Sequence, residues 1–260
     1  YLVIYERKGG LPKARIRNIS TGEEHYISFP EPTYALSEGF NPEFNSSILR
    51  FNYTSLITPQ SVFDYDMETF QRQLKKETEV LGGYDRTQYK SEWIMATAQD
   101  GIQIPISIVY KQGIQKDGKN PLFLTGYGAY GISYPASFSS NRLSLLERGV
   151  VFAIAHIRGG AEMGRKWYED GKLLHKKNTF TDFIACAEYL IEQKWTSSDR
   201  LVISGGSAGG LLMGAVVNQR PELFKLVIAH VPFVDAVTTI LDTSLPLSAM
   251  EWDEWGNPLE

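Results

Sequence analysis

An α/β fold with a mostly parallel sheet, preceded by antiparallel β strands, is predicted by three observations. Apolar segments alternate with helical patterns from about residue 84 onward, one G-x-S-x-G turn joins a strand to a helix, and residues 1–83 read instead as short strands separated by turn residues. The strands of the second part are "IPISIVY" (104–110), "PLFLTG" (121–126), "VVFAIAHI" (150–157), "RLVIS" (200–204) and "KLVIAHV" (225–231). Their unbroken apolar character marks strands covered on both faces. Between two of them Phe180, Phe183, Ile184, Ala187, Leu190 and Ile191 recur at helical spacing, and Thr179 with Asp182 is expected to form a capping box. Cys186 lies within that helix and reads as a packing residue, not a nucleophile.

In the first part, "LVIYER" and "KARIRNI" flank Gly9-Gly10, "HYISF" follows Thr21-Gly22, and "SILRFNY" and "SVFDYDM" flank Thr58-Pro59. That is an antiparallel meander. A four-stranded propeller blade uses about 40–45 residues, so residues 1–83 have room for about two blades of a partial β-propeller. A small β subdomain packed on residues 84–260 is the other reading.

Composition removes several function classes. With 43% hydrophobic residues the 260-residue chain can bury a full core, and a net charge of -4 without a long Lys/Arg block argues against nucleic-acid or anionic-membrane partners. The densest basic run, "KLLHKKN" (172–178), is expected to be a solvated helix end. The single cysteine forms no internal disulfide, which fits a cytoplasmic location, and no CxxC or HExxH spacing offers a metal site, so no cofactor is expected. No apolar run of about 18 residues suggests a membrane span. Nothing in the sequence sets an oligomeric state. The opening "YLVIYERKGG" and closing "EWDEWGNPLE" make the chain read as an excerpt of a longer protein.

Two glycine-rich stretches carry the chemistry. In "LTGYGAYG" (124–131), Gly126, Gly128 and Gly131 have GxGxxG spacing after a strand, which would suit a dinucleotide turn or any tight loop at a strand end. Pro135 and "SFSSN" disfavour a helix starting at Gly131, and the next strand ends in His156 and Arg158 with no carboxylate for a ribose, both against a dinucleotide. In "RLVISGGSAGGLLMGAVV" a strand, Gly205-Gly206-Ser207-Ala208-Gly209 and a helix follow in the order of a nucleophile elbow. This points to an α/β-hydrolase fold with Ser207 as nucleophile; a glycine-rich turn with an idle serine is the alternative. Ser207 needs a base. His25, His156 and His175 precede it and His230 lies inside the next strand, so the base is expected beyond residue 260, and the hydrolase sheet is expected to be incomplete at its C-terminal end.

"GGSAGGLL", "LTGYGAYG", "IRGGAEMGRKWYEDG", "FTDFIACAEYLI" and "NQRPELFKLVIAHVPFVD" together resemble the prolyl oligopeptidase family of serine peptidases, and "SLPLSAMEWDEWGNP" resembles its oligopeptidase B branch, which cuts short peptides after Arg or Lys. The resemblance implies that residues 1–83 are the last blades of a β-propeller and 84–260 most of the peptidase domain. It also implies that the triad's aspartate and histidine lie after residue 260, that Ser207 is the nucleophile, and that the Tyr127 hydroxyl and the Ala208 N–H hold the oxyanion. Tyr130 matches an aromatic of the pocket for the residue before the cut bond. Glu251 stands where the proline-specific branch has a tryptophan, with Asp253 two residues on where relatives often carry Glu; a carboxylate there suits a guanidinium. Short basic peptides are the expected substrate. An esterase on the same fold, disfavoured by the missing HGGG-type loop, a proline-specific peptidase and a non-catalytic binding module remain open.

Overall fold

The Gly9-Gly10 turn closes the first hairpin, pairing β1 (Leu2–Lys8) with β2 (Leu11–Arg17) from Lys8↔Leu11 to Leu2↔Arg17. The computed structural model describes residues 1–248 and 250–260. β3 (Glu24–Tyr26) completes this sheet antiparallel to β2. A second antiparallel sheet follows in sequence order: β4 (Tyr34–Glu38), β5 (Ile48–Ser55), β6 (Ser61–Asp66) and β7 (Arg72–Glu77). Alternation along β5 turns Leu49, Phe51 and Tyr53 to one side, where they meet Ala14 and Ile16 of β2 in a shared core. β4 and β7 escape a reading based on apolar alternation because "RQLKKE" is mostly solvent-facing and "YALSE" is short.

The third sheet has six strands in the order β13-β12-β10-β11-β9-β8: β8 (Tyr89–Thr97), β9 (Gln103–Lys111), β10 (Leu122–Thr125), β11 (Val151–Ala155), β12 (Leu201–Gly206) and β13 (Leu226–His230). β13, β12, β10 and β11 run parallel, while the β8–β9 hairpin adds antiparallel strands beside β11. The architecture is therefore the expected one, antiparallel strands first and a mostly parallel sheet after them. α1 (Ser140–Leu146), α2 (Arg165–Glu169), α3 (Lys177–Glu192), α4 (Ala208–Gln219), α5 (Ala236–Leu241) and α6 (Trp252–Trp255) follow their strands. α3 and α4 line the main core with Phe183, Cys186, Ala187, Leu190, Leu212, Met213 and Val216 against Leu122, Leu124, Ile106 and Ile203. Cys186 is wholly buried, and burial raises its thiol pKa well above the ordinary value, as suits a packing residue.

The expected capping box is corrected. α3 begins at Lys177, with Lys176 as its cap, so Thr179 and Asp182 lie inside the helix and both are buried. Their hydrogen bonds go across to another loop. The Thr179 hydroxyl is placed to donate to the carbonyls of Arg158 (2.8 Å) and Gly171 (3.1 Å). Asp182 accepts the Arg158 amide at 3.0 Å and its Nε at 2.8 Å, and Asp100 takes Nη1 at 2.6 Å. Burial opposes the Arg158 charge, but the two carboxylates hold the guanidinium protonated. Asp182→Ala removes the fully buried partner of a cation that is 4% exposed, and should destabilise the fold by about 3–5 kcal/mol, read as a lower urea midpoint with unchanged slope.

Candidate active site

Ser207 occupies the one-residue junction between β12 and α4, at φ 56 and ψ -120. A non-glycine residue there is strained, and backbone hydrogen bonds hold it. The Ser207 N–H donates to the His230 carbonyl at 3.0 Å, while its own carbonyl accepts from Gly210 (2.9 Å) and Phe233 (3.1 Å). The turn is so tight that a Cβ on Gly205 would stand 2.2 Å from the Gly209 carbonyl oxygen. The side chain of Ser207 is left exposed at the carboxyl edge of the sheet. Ala208 is the first residue of α4, so its N–H has no partner within the helix and adds to the positive helix end facing the serine.

β10 is hydrogen-bonded to β12, with Thr125 opposite Ser204, so the loop that follows β10 emerges beside the serine. It begins Gly126-Tyr127. Burial raises the Tyr127 pKa, with the nearby Ser207 hydroxyl working against that shift, so the phenol stays a proton donor at neutral pH. The loop is gripped from below. Gly131 donates to the Gly159 carbonyl (2.9 Å), and Gly159, at φ 96, packs so closely that a Cβ would lie 2.0 Å from the Gly128 oxygen.

Tyr130, at φ 58, joins this loop to α6. Its hydroxyl donates to Glu251 Oε2 at 2.7 Å and its amide to Glu254 Oε2 at 3.1 Å. Trp255 Nε1 donates to the same Glu251 oxygen at 2.8 Å, which leaves Glu251 Oε1 without a protein donor among the described residues. Tyr127, Tyr130, Phe233 and Trp255 line the surroundings, with ring centroids 5.5–6.2 Å apart along the series. The result is a cluster of aromatic rings around a half-buried carboxylate, at the same sheet edge as an exposed serine on a strained turn.

Two family models match separate parts of the chain. The model of the prolyl oligopeptidase family matches residues 136–260, and that of the prolyl oligopeptidase N-terminal β-propeller domain matches residues 1–78. Protease 2 of Moraxella lacunata is 46% identical over 99% of this chain and 37% of its own length; dipeptidyl aminopeptidase BI of Pseudoxanthomonas mexicana is also 46% identical, over 100% and 36%. The structure of oligopeptidase B from Trypanosoma brucei with covalently bound antipain superposes with a TM-score of 0.92 at 43% identity, covering 99% of this chain and 38% of that one. The chain belongs to the prolyl oligopeptidase family. It spans little more than a third of the length of these family relatives.

Within this chain the structure gathers Ser207, Ala208, Tyr127, Tyr130 and Glu251 at one edge of the sheet. Asp253 is not among them: its side chain is exposed and makes no hydrogen bond or ion pair among the described residues. The second acidic residue of the site is Glu254, 1% exposed. Glu251 and Glu254 are three residues apart, which places both on one side of a helical turn and Asp253 off it. That spacing was available in "EWDEW", but reading the segment as a loop hides it. The basic run 172–178 is corrected as well. Lys176 is not solvated; its side chain is 12% exposed and its ammonium meets Glu254 Oε1 at 3.1 Å.

His230 meets the serine only through its backbone carbonyl, and its side chain is exposed. His156 is committed to Ser107 (2.7 Å) and Glu162 (3.3 Å) in the buried interior. Among the described residues no imidazole hydrogen-bonds the Ser207 hydroxyl, and no group of His, Cys, Asp and Glu could hold a metal ion. An alcohol without a base is a poor nucleophile. The 260-residue chain by itself should therefore fail to label with a fluorophosphonate probe; stoichiometric labelling at Ser207 would make His230 the base.

Proposed function

We propose that this chain supplies the nucleophile, oxyanion site and specificity pocket of a serine oligopeptidase that cuts short peptides after Arg or Lys. The observation that carries the proposal is Ser207 exposed on its strained elbow at the head of α4, beside the loop that begins Gly126-Tyr127; the Tyr127 hydroxyl and the Ala208 N–H are the donors this reading gives to the oxyanion. In the proposed reaction the Ser207 oxygen bonds to the carbonyl carbon and its proton passes to a base, expected after residue 260 as the resemblance implies. The base returns the proton to the leaving amine as the peptide bond breaks. Water then hydrolyses the acyl-serine by the reverse sequence of proton transfers.

Specificity is assigned to Tyr130 and Glu251. The free Oε1 of Glu251 offers an acceptor to an incoming cation, while Oε2 is already fixed by Tyr130 and Trp255, so the carboxylate is oriented before substrate arrives. Proline carries no donor for it. The similarity to oligopeptidase B of T. brucei supports the Arg/Lys branch. Short basic peptides are the proposed partners. A cytoplasmic location is proposed with them, in keeping with a chain whose single cysteine is free and buried.

Tyr127→Phe in the full-length protein should lower kcat by about 10²- to 10³-fold with little change in KM, because the donor acts on the transition state. Single-turnover kinetics on an Arg fluorogenic peptide would show it; an unchanged chemical step would reduce the loop to a structural turn. Glu251→Gln keeps the shape but removes the charge partner of the substrate, an effect on the order of 2–5 kcal/mol or roughly 30- to 5000-fold in kcat/KM for Arg. Arg, Lys and Pro substrates compared on both forms test the pocket. A wild type that favours Pro, or a variant that loses all three alike, would remove the pocket assignment and leave Ser207 and Tyr127 in place.

A further inference from the structure

Lys176 is a buried cation that the chemistry above does not use. It caps α3, and its ammonium turns away from solvent toward three partners: the Gly128 carbonyl at 2.6 Å, Glu254 Oε1 at 3.1 Å and the face of Trp255, 4.8 Å from the ring centre. These partners belong to both halves of the site. Gly128 follows Tyr127 in the loop beside the serine, and Glu254 and Trp255 lie in α6, which Glu251 caps. Burial lowers the Lys176 pKa and Glu254 works against the shift. A lysine needed only to neutralise Glu254 would require one partner, yet the shorter of its two polar contacts is to the loop carbonyl.

That contact has a mechanical consequence. A charge-assisted bond to the Gly128 oxygen fixes the peptide plane directly after Tyr127-Gly128. The other oxygen of Glu254 holds the amide of Tyr130, which stands in the left-handed region at φ 58, where a tyrosine is strained. Freed of both restraints, the loop would relax toward extended backbone and carry the Tyr127 hydroxyl with it.

We infer that Lys176 is a positioning residue that, through the Gly128 carbonyl and Glu254, locks the loop from Tyr127 to Tyr130 in the geometry oxyanion binding needs and ties that loop to the specificity pocket. The inference rests on the serine-peptidase reading. It gives the two carboxylates of α6 different tasks: Glu254, already neutralised by lysine, holds backbone, and Glu251 is left for the substrate. Because Lys176 acts through where Tyr127 stands, its loss falls on kcat and overlaps with the loss of Tyr127.

The test is a double-mutant cycle of Lys176→Met and Tyr127→Phe in the full-length protein, assayed on an Arg fluorogenic peptide. Lys176→Met should lower kcat by about 10- to 100-fold with KM changed less than about 3-fold, and adding Tyr127→Phe should cost less than about 10-fold more, far short of its effect alone. Lys176→Met with Glu254→Gln removes the uncompensated carboxylate but keeps an acceptor for the Tyr130 amide. This variant should melt with the wild type and stay slow, and it carries the cycle if Lys176→Met alone does not fold. Recovery of kcat in it, or losses that multiply in full, would show that Lys176 merely neutralises Glu254 and would overturn the inference while leaving the peptidase reading intact. An unchanged kcat in Tyr127→Phe alone would instead remove the oxyanion role of the loop, and the inference with it, while the peptidase reading would stand on Ser207.

Discussion

Ser207 is held at φ 56 and ψ -120, and the arrangement of the whole carboxyl edge of the parallel sheet depends on keeping it there. A residue in so sparsely populated a region costs on the order of 1–3 kcal/mol unless its surroundings over-determine it. Here they do: β13 supplies an acceptor through His230, α4 returns amides to the serine carbonyl, and the contact between Gly205 and Gly209 leaves no room for a wider turn. Connectivity does the rest. The chain leaves β10 for β11 on one side and comes back to β12 on the other, so the loops after β10 and β12 part at their carboxyl ends and open a crevice. The strained serine and the Tyr127 loop are the two lips of that crevice.

Charge then distinguishes two carboxylates that the sequence presents as equals. Glu251, the cap of α6, and Glu254, three residues on within it, are both bonded to Tyr130, one at its hydroxyl and one at its amide. Glu254 is almost fully buried and has Lys176 within 3.1 Å; Glu251 is only half-buried, and its nearest partners are neutral donors, Tyr130 and Trp255. A carboxylate neutralised by lysine has little to offer a second cation, whereas one stabilised only by dipoles gains by meeting one. The difference in electrostatic surroundings comes from the neighbours, not from the residue type.

The fold class was legible in the sequence because its signals are local. Unbroken apolar strands such as "VVFAIAHI", the periodicity from Phe180 to Ile191 and the G-x-S-x-G turn each need only a window of a few residues. The same locality explains Ser207 as a candidate, whereas Tyr127 becomes one only through the family resemblance. What stayed hidden depends on contacts between distant segments. Asp182 looks like the fourth residue of a capping box until Arg158, 24 residues away, claims it. Lys176 looks like one more cation in a basic run until Glu254, 78 residues on, is found beside it. Asp253 and Glu254 are neighbours in sequence with opposite exposures, and only the helical pitch of α6, set by its packing through Trp255 and Trp252, decides which faces inward.

Buried charge is an uneven contributor to stability, since desolvation cancels much of what pairing returns, and apolar replacements of similar volume often serve as well. Its placement here answers to a different need. The loop of residues 126–131 has no regular structure to satisfy its carbonyls or fix its path, and it must pass within contact distance of Gly159. Arg158, anchored by its amide and its guanidinium to the same Asp182, fixes the start of the segment beneath it; Lys176, anchored to Glu254, fixes its carbonyl from the side. Apolar side chains could fill both volumes, but they attract in all directions and would leave the register of the loop free. Hydrogen-bonded ions point along particular bonds, and a donor that must meet an oxyanion at about 3 Å needs that directionality more than it needs the energy.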